Sequence, residues 1–263
     1  MAFTRTISAF NTATASENKI HDDAVASRFG FTGGLVPGVD VFAYLAHMPM
    51  AEWGKDWLAS GFMQARFLKP VYDGDTATVS AASEGEGLAL SISARGDLCA
   101  SGTATRKGPA QPTMLLANAP MPDFDKRPPA SRVSLPPGLA LGVRRETYTR
   151  EAGFAHLEAV RDDPKLYDGG AIANAAWLLR RANYVLSDNV RLGPWIHVES
   201  ALNLHSLLMD GETLEVRAVV ADNVEAKGHL TVVLDVQMLA GQRFVASCRH
   251  WAIYEPRQVR QAA

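Results

Sequence analysis

The sequence is short of cysteine, of surplus charge of either sign and of long apolar runs. Two cysteines in 263 residues, Cys99 and Cys248, cannot build a disulfide framework or a multi-cysteine zinc site. Lys and Arg number 26 against 28 Asp and Glu, a formal charge of −2, without the basic excess of a phosphate-gripping nucleic-acid binder. No apolar run approaches the ~20 residues needed to span a bilayer. The first residues, MAFTRTIS, lack the apolar core of a secretory signal. Also missing are a Gly-x-Ser-x-Gly elbow, a Gly-x-x-x-x-Gly-Lys phosphate loop, His-Glu-x-x-His and Cys-x-x-Cys. The expectation is a cytoplasmic protein with no nucleic-acid or membrane partner and no metal or other cofactor. What is present is ordinary for a globular chain, 47% hydrophobic and 21% charged, which argues against disorder. The length allows one large domain or two small ones.

Proline is concentrated in the middle. Eight of the 14 prolines fall between Pro109 and Pro137, a stretch that cannot sustain a helix or a central strand. It reads as an extended linker over the surface. The flanking sequences repeat weakly. The run Arg66 to Tyr72 leads into Asp73-Gly74-Asp75-Thr76, and 137 residues after Asp73 the run Asn203 to Met209 leads into Asp210-Gly211-Glu212-Thr213. Phe31-Thr32-Gly33-Gly34-Leu35-Val36 pairs with Tyr167-Asp168-Gly169-Gly170-Ala171-Ile172, an offset of 136. Two matches at nearly one offset argue for duplication. The division is 1–108, a linker at 109–138, and 139–263.

Each half has the same order of elements. A glycine-led apolar helix comes first, Val36 to Met48 and then Ala171 to Leu186. Strands follow at 61–71, 75–83, 88–94 and 97–106, and again at 197–208, 212–221, 230–238 and 242–254. Leu88, Leu90, Ile92 and Ala94 alternate with small or polar neighbours, as do Leu230, Val232, Leu234, Val236 and Met238. One long helix against a consecutive antiparallel sheet, twice over, is an α+β arrangement. The first helix is apolar nearly all round, so it should be buried, with Asp40 as the exception that needs a partner.

The most informative segment runs from Ser16-Glu17-Asn18-Lys19-Ile20-His21 through Asp23, Ala26 and Gly30-Phe31 to Gly33-Gly34 and Pro37-Gly38-Val39. It resembles the signature of MaoC-like dehydratases and (R)-specific enoyl-CoA hydratases, a branch of the hotdog superfamily. Asn18, Ile20, His21, Asp23, Ala26, Gly30, Phe31, Gly33 and Gly38 stand at matching positions. With the duplication, the resemblance implies a double hotdog: two repeats, each a long central helix wrapped by an antiparallel sheet. The sequence departs from the pattern at Ser16, where the family has its catalytic aspartate, at Lys19 in place of proline, and at Pro37-Gly38-Val39 in place of His-Gly-Met.

The resemblance implies an acyl thioester as partner, carried on CoA or acyl carrier protein, with a homodimer allowed. Hydration of a 2-enoyl thioester, or the reverse dehydration, needs a base for water, an acid for the α-carbon and donors at the thioester oxygen. By position, His21 is the base and Asn18 holds the water. Backbone N–H groups of Gly38 or Val39, at the start of the central helix, bind the oxygen. Glu17 neighbours the vacant aspartate position and is the replacement acid to consider. A hotdog thioesterase would instead use a carboxylate early in the central helix, and Asp40 lies six residues after Gly34. Ser16 also keeps open a third reading, a module that binds acyl thioesters or an apolar ligand without turnover. His156 is the second half's nearest counterpart to His21, and the Asn-x-x-His pattern is missing there, which points to one site per chain at the junction of the halves.

Overall fold

Two apolar helices and one long sheet carry the fold. The computed structural model describes residues 2–14 and 16–257. The helices are α1 (Asp23–Arg28), α2 (Gly38–Trp53), α3 (Lys55–Ser60), α4 (Arg150–Ala159) and α5 (Ala175–Asn189). The strands of the first half are β1 (Ala2–Ser8), β2 (Phe62–Phe67), β3 (Thr76–Glu84), β4 (Gly87–Ala94) and β5 (Asp97–Thr105). Those of the second half are β6 (Ala140–Thr147), β7 (Ile196–Leu204), β8 (Thr213–Ala226), β9 (His229–Ala240) and β10 (Arg243–Glu255).

All ten strands lie in one sheet in the order β1-β3-β4-β5-β2-β7-β10-β9-β8-β6. Every pairing is antiparallel. The halves meet where β2 pairs with β7, from Phe62↔Asn203 to Arg66↔Glu199. Outward from that seam each half runs through its strands in the same relative order. The pairing satisfies an edge that each half alone would leave open.

Finer detail repeats too. The isolated bridge Leu35↔Tyr72 recurs as Ile172↔Met209, both residues 137 later. The bond from Val36 N–H to Val71 O recurs from Ala173 N–H to Leu208 O. Leu35 therefore corresponds to Ile172, one residue further along than alignment of the two Gly-Gly pairs suggests. Sequence reasoning passed over β1, β6 and α4, which carry few of the apolar residues that mark the other elements.

The core lies between the sheet and the helices. Val39, Val41, Phe42, Tyr44, Leu45 and Met48 of α2 are buried, as expected for a helix apolar all round. Leu88, Leu90, Ile92 and Ala94 face the core from β4. On β9 the alternation is less strict, because Val233, Gln237 and Leu239 on its other face are buried as well. The stretch between β5 and β6 covers them: Gln237 donates to Met114 O at 2.8 Å and accepts from Leu116 N–H at 2.8 Å. The proline-rich segment thus crosses the outer face of the sheet. Cys99 and Cys248 are buried on β5 and β10.

Candidate functional site

The motif segment folds through its own polar side chains. Asn18 caps a short turn at Lys19–His21, Asp22 caps α1 by accepting from Val25 N–H at 3.0 Å, and Asp23 accepts from Gly34 N–H at 2.6 Å. The glycine at 34 is a requirement, since a Cβ there would collide with the His21 carbonyl. The acid two residues after the histidine thus holds the glycine turn against it.

This leaves His21 with both ring nitrogens engaged. Nδ1 lies 2.7 Å from the Leu35 carbonyl and Nε2 lies 3.3 Å from Asn18 Nδ2. Since a carbonyl only accepts, Nδ1 carries the proton and Nε2 the lone pair. Asn18 also donates to Trp195 O at 2.9 Å and accepts from Trp195 N–H at 3.2 Å. Its amide is committed to orienting His21 and to stitching the first half to the second. Burial holds His21 below the usual histidine range; the Leu35 carbonyl opposes this and the Arg180 charge adds to it. His21 is therefore neutral at pH 7.

His21 opens onto a cavity of about 480 Å³, a volume typical of small-ligand sites. Its walls come from the motif segment, from Leu35 to Val39 at the start of α2, from Phe67 to Val71, from α5 and from Trp195 to Val198. Gly38 and Val39 are on this wall. As first residues of α2 they have no intrahelical acceptor for their N–H groups. Trp195 and Tyr184 line the cavity, whereas Trp177 packs under Tyr148 and Arg181.

Of the two carboxylates singled out in the sequence, Glu17 lines the cavity and Asp40 does not. Asp40 is fully buried and is not part of the cavity wall. It accepts from Thr12 Oγ1 at 2.6 Å and pairs with Arg180, which reaches across from α5. Burial raises its pKa, with Arg180 and Thr12 pulling the other way. The Glu17 side chain is 71% exposed and faces Arg127 at 3.7 Å. Ser16 lines the cavity, and its Oγ accepts from Asn18 N–H at 3.1 Å. Among the described residues, no carboxylate hydrogen-bonds the His21 ring.

Three polar groups missed by sequence reasoning lie behind the start of α2. The Ser200 hydroxyl sits 2.8 Å from His197 Nε2 and 2.8 Å from His250 Nδ1, and the two imidazoles stack with centroids 4.3 Å apart. His197 Nδ1 and His250 Nε2 have no partner among the described residues. A Cβ on Gly38 would lie 2.9 Å from His197 Nδ1, so glycine lets the helix start rest on this ring. Burial pushes His250 down to about 3, and burial with the neighbouring His250 pushes His197 well below the usual range. The signal was faint: His250 falls on the inward phase of β10, in a run with Ala246, Cys248, Ala252 and Tyr254.

No family model and no curated protein matches the sequence. Solved structures do match. One, assigned as a MaoC-domain dehydratase from Chloroflexus aurantiacus, has a TM-score of 0.66 at 8% identity over 97% of this chain and 95% of its own. A conserved hypothetical protein from Mycobacterium tuberculosis, described as a double hotdog, has a TM-score of 0.62 at 15% identity over 96% and 95%. A protein from Lactobacillus plantarum assigned as an oleoyl thioesterase has a TM-score of 0.51 at 10% identity over 97% of both. In fold, then, the chain is a MaoC-like double hotdog.

Proposed function

We propose that the chain is an acyl-thioester hydro-lyase with one site at the junction of its halves. The observation that carries this is His21, its Nδ1 proton and Nε2 lone pair set by Leu35 and Asn18, on the same cavity wall as Gly38 and Val39, whose N–H groups open α2 with no intrahelical acceptor. Those N–H groups, with the α2 dipole, receive the thioester oxygen and stabilise the enolate. Water displaces the long Asn18 contact at His21 Nε2, and Nε2 takes a proton from that water as its oxygen bonds to the β-carbon. The imidazolium then returns that proton to the α-carbon. Water has been added across the double bond, and the histidine is neutral again. With serine at position 16 and Glu17 turned to Arg127, one histidine serves as both base and acid.

Hydrolysis is the second reading, supported by the likeness to a protein assigned as a thioesterase. The same base would direct water to the thioester carbonyl. Asp40 contributes little to that chemistry, since Thr12 and Arg180 occupy its oxygens. Crotonyl-CoA separates the readings in one cuvette. Hydration removes the conjugated enoyl absorbance and frees no thiol; hydrolysis frees thiol; a binding module does neither.

A further inference from the structure

We propose that Arg127 is the anion-receiving end of this cavity, and that Glu17 is its resting counter-ion, displaced when the anion binds. Arg127 comes from the proline-rich segment, and its side chain is only 7% exposed. Its Nε donates to Phe124 O at 2.8 Å, Nη1 donates to Ser187 O, and the guanidinium lies 3.6 Å above the Phe124 ring. These two carbonyls take two of its five N–H groups and leave its charge unmatched. The carboxylate that does face it is Glu17, at 3.7 Å on a mostly exposed side chain, a loose pair of small worth. A buried charge so weakly compensated calls for a better anion. The other arginine of the wall, Arg180, is already matched by Asp40.

The wall between them is polar. Arg180, Asn183, Tyr184 and Ser187 share one face of α5 and line the cavity, and Asn183 Oδ1 is buried there with no protein partner. Arg180 lines the same cavity as His21 and pairs with Asp40, two residues after Gly38, which places the Arg180 end at the start of α2. From Arg180 to Ser187 the helix rises about 10 Å. A ligand reacting at His21 and lying along this face would thus present a hydrogen-bonding arm to Asn183 and an anion to Arg127. If the ligand is an acyl thioester, which rests on the reading above, that anion is a phosphate of the carrier arm or a distal carboxylate of the acyl chain.

Calorimetric affinities for three saturated thioesters test this without turnover: butyryl-CoA, the butyryl ester of N-acetylcysteamine, and its glutaryl ester. Arg127→Gln should weaken either butyryl-CoA or the glutaryl ester roughly 10- to 100-fold, the usual worth of a charge-assisted bond. It should leave the butyryl ester within about twofold by the same reasoning. Loss with butyryl-CoA assigns a phosphate; loss with the glutaryl ester assigns a carboxylate. Glu17→Gln should tighten the affected ligand by roughly threefold, as removal of a weak competing pair would. Unchanged affinities in both variants overturn the proposal. Should Arg127→Gln fail to fold, Glu17→Gln alone decides, with unchanged affinity counting against. Should the natural protein bind none of the thioesters, the acyl-thioester reading fails by itself. Inorganic pyrophosphate then decides the anion site: binding that Arg127→Gln weakens sustains it, and equal binding or none overturns it.

Discussion

At the scale of single residues, the proposed site is a histidine prepared by its neighbours. Leu35 fixes the tautomer, Asn18 fixes the ring, and burial keeps it neutral. A base must be unprotonated to work, so kcat/KM should rise with pH and reach its plateau by about pH 7, with the acid-limb midpoint below the ordinary histidine value of ~6.5. Arg180→Met removes a nearby positive charge and should move that midpoint up. A limb that stays in place would show that the Arg180 charge does not reach His21. Position, not the side chain's presence in a list of acids, decides the other candidates. One step along the chain from the vacant family position turns Glu17 outward to Arg127. Asp40 points from α2 into the seam with α5 and not into the cavity. Spacing in a sequence gives side-chain direction only to within a residue or two, so neither orientation could be read from it alone.

Elements position these residues through two close contacts. The start of α2 rests on His197, with no room for a side chain at Gly38. Gly38→Ala should therefore shift the helix start or the ring, costing about 1–3 kcal/mol as overpacking does. It should lower kcat more than it raises KM, because in the proposed mechanism the displaced N–H groups stabilise the developing enolate. An unchanged kcat with a normal unfolding midpoint would remove those N–H groups from the mechanism. The second contact is the pair between α2 and α5. Asp40→Ala leaves the partly buried Arg180 charge unmatched, and denaturant unfolding should show a loss of about 1–3 kcal/mol. Asp40→Leu with Arg180→Leu should recover most of that. If the double change is as unstable as the single one, the pair does more than neutralise itself. The elements around both contacts were legible because α2, α5 and the strands of each half carry strong periodic apolar patterns. β1, β6 and α4 were not, since β1 and β6 are the outermost strands of the sheet and largely polar, and α4 buries only Gly153 and Leu157.

At the scale of the whole molecule, two repeats share one sheet and, on this account, one site. The duplication and the motif were legible in the sequence; the cross-half contacts were not. Asn18 to Trp195, Asp40 to Arg180 and Arg5 to Asp162 each join residues more than 130 positions apart, and nothing local marks such partners. The interior also holds several neutral histidines, and this sets an acid limit on stability. Burial pushes His156 and His250 down to about 3. Below about pH 6.5 the unfolded chain binds protons that these folded histidines refuse until about pH 3, so stability is lost as pH falls through that window. Each adds up to about 1.4 kcal/mol per pH unit to the slope. His250→Leu should flatten urea-unfolding stability against pH between roughly 6 and 4, and an unaltered slope would place that proton uptake elsewhere. The central claim is that a single histidine at the junction works for the whole chain, the second half supplying cavity wall and no second base. Turnover of crotonyl-CoA by His21→Gln tests it most directly. The account predicts a fall in kcat/KM of roughly 10²- to 10⁴-fold, the worth of a general acid–base group, with little change in the unfolding midpoint. Turnover within a few-fold of the natural protein's would contradict it.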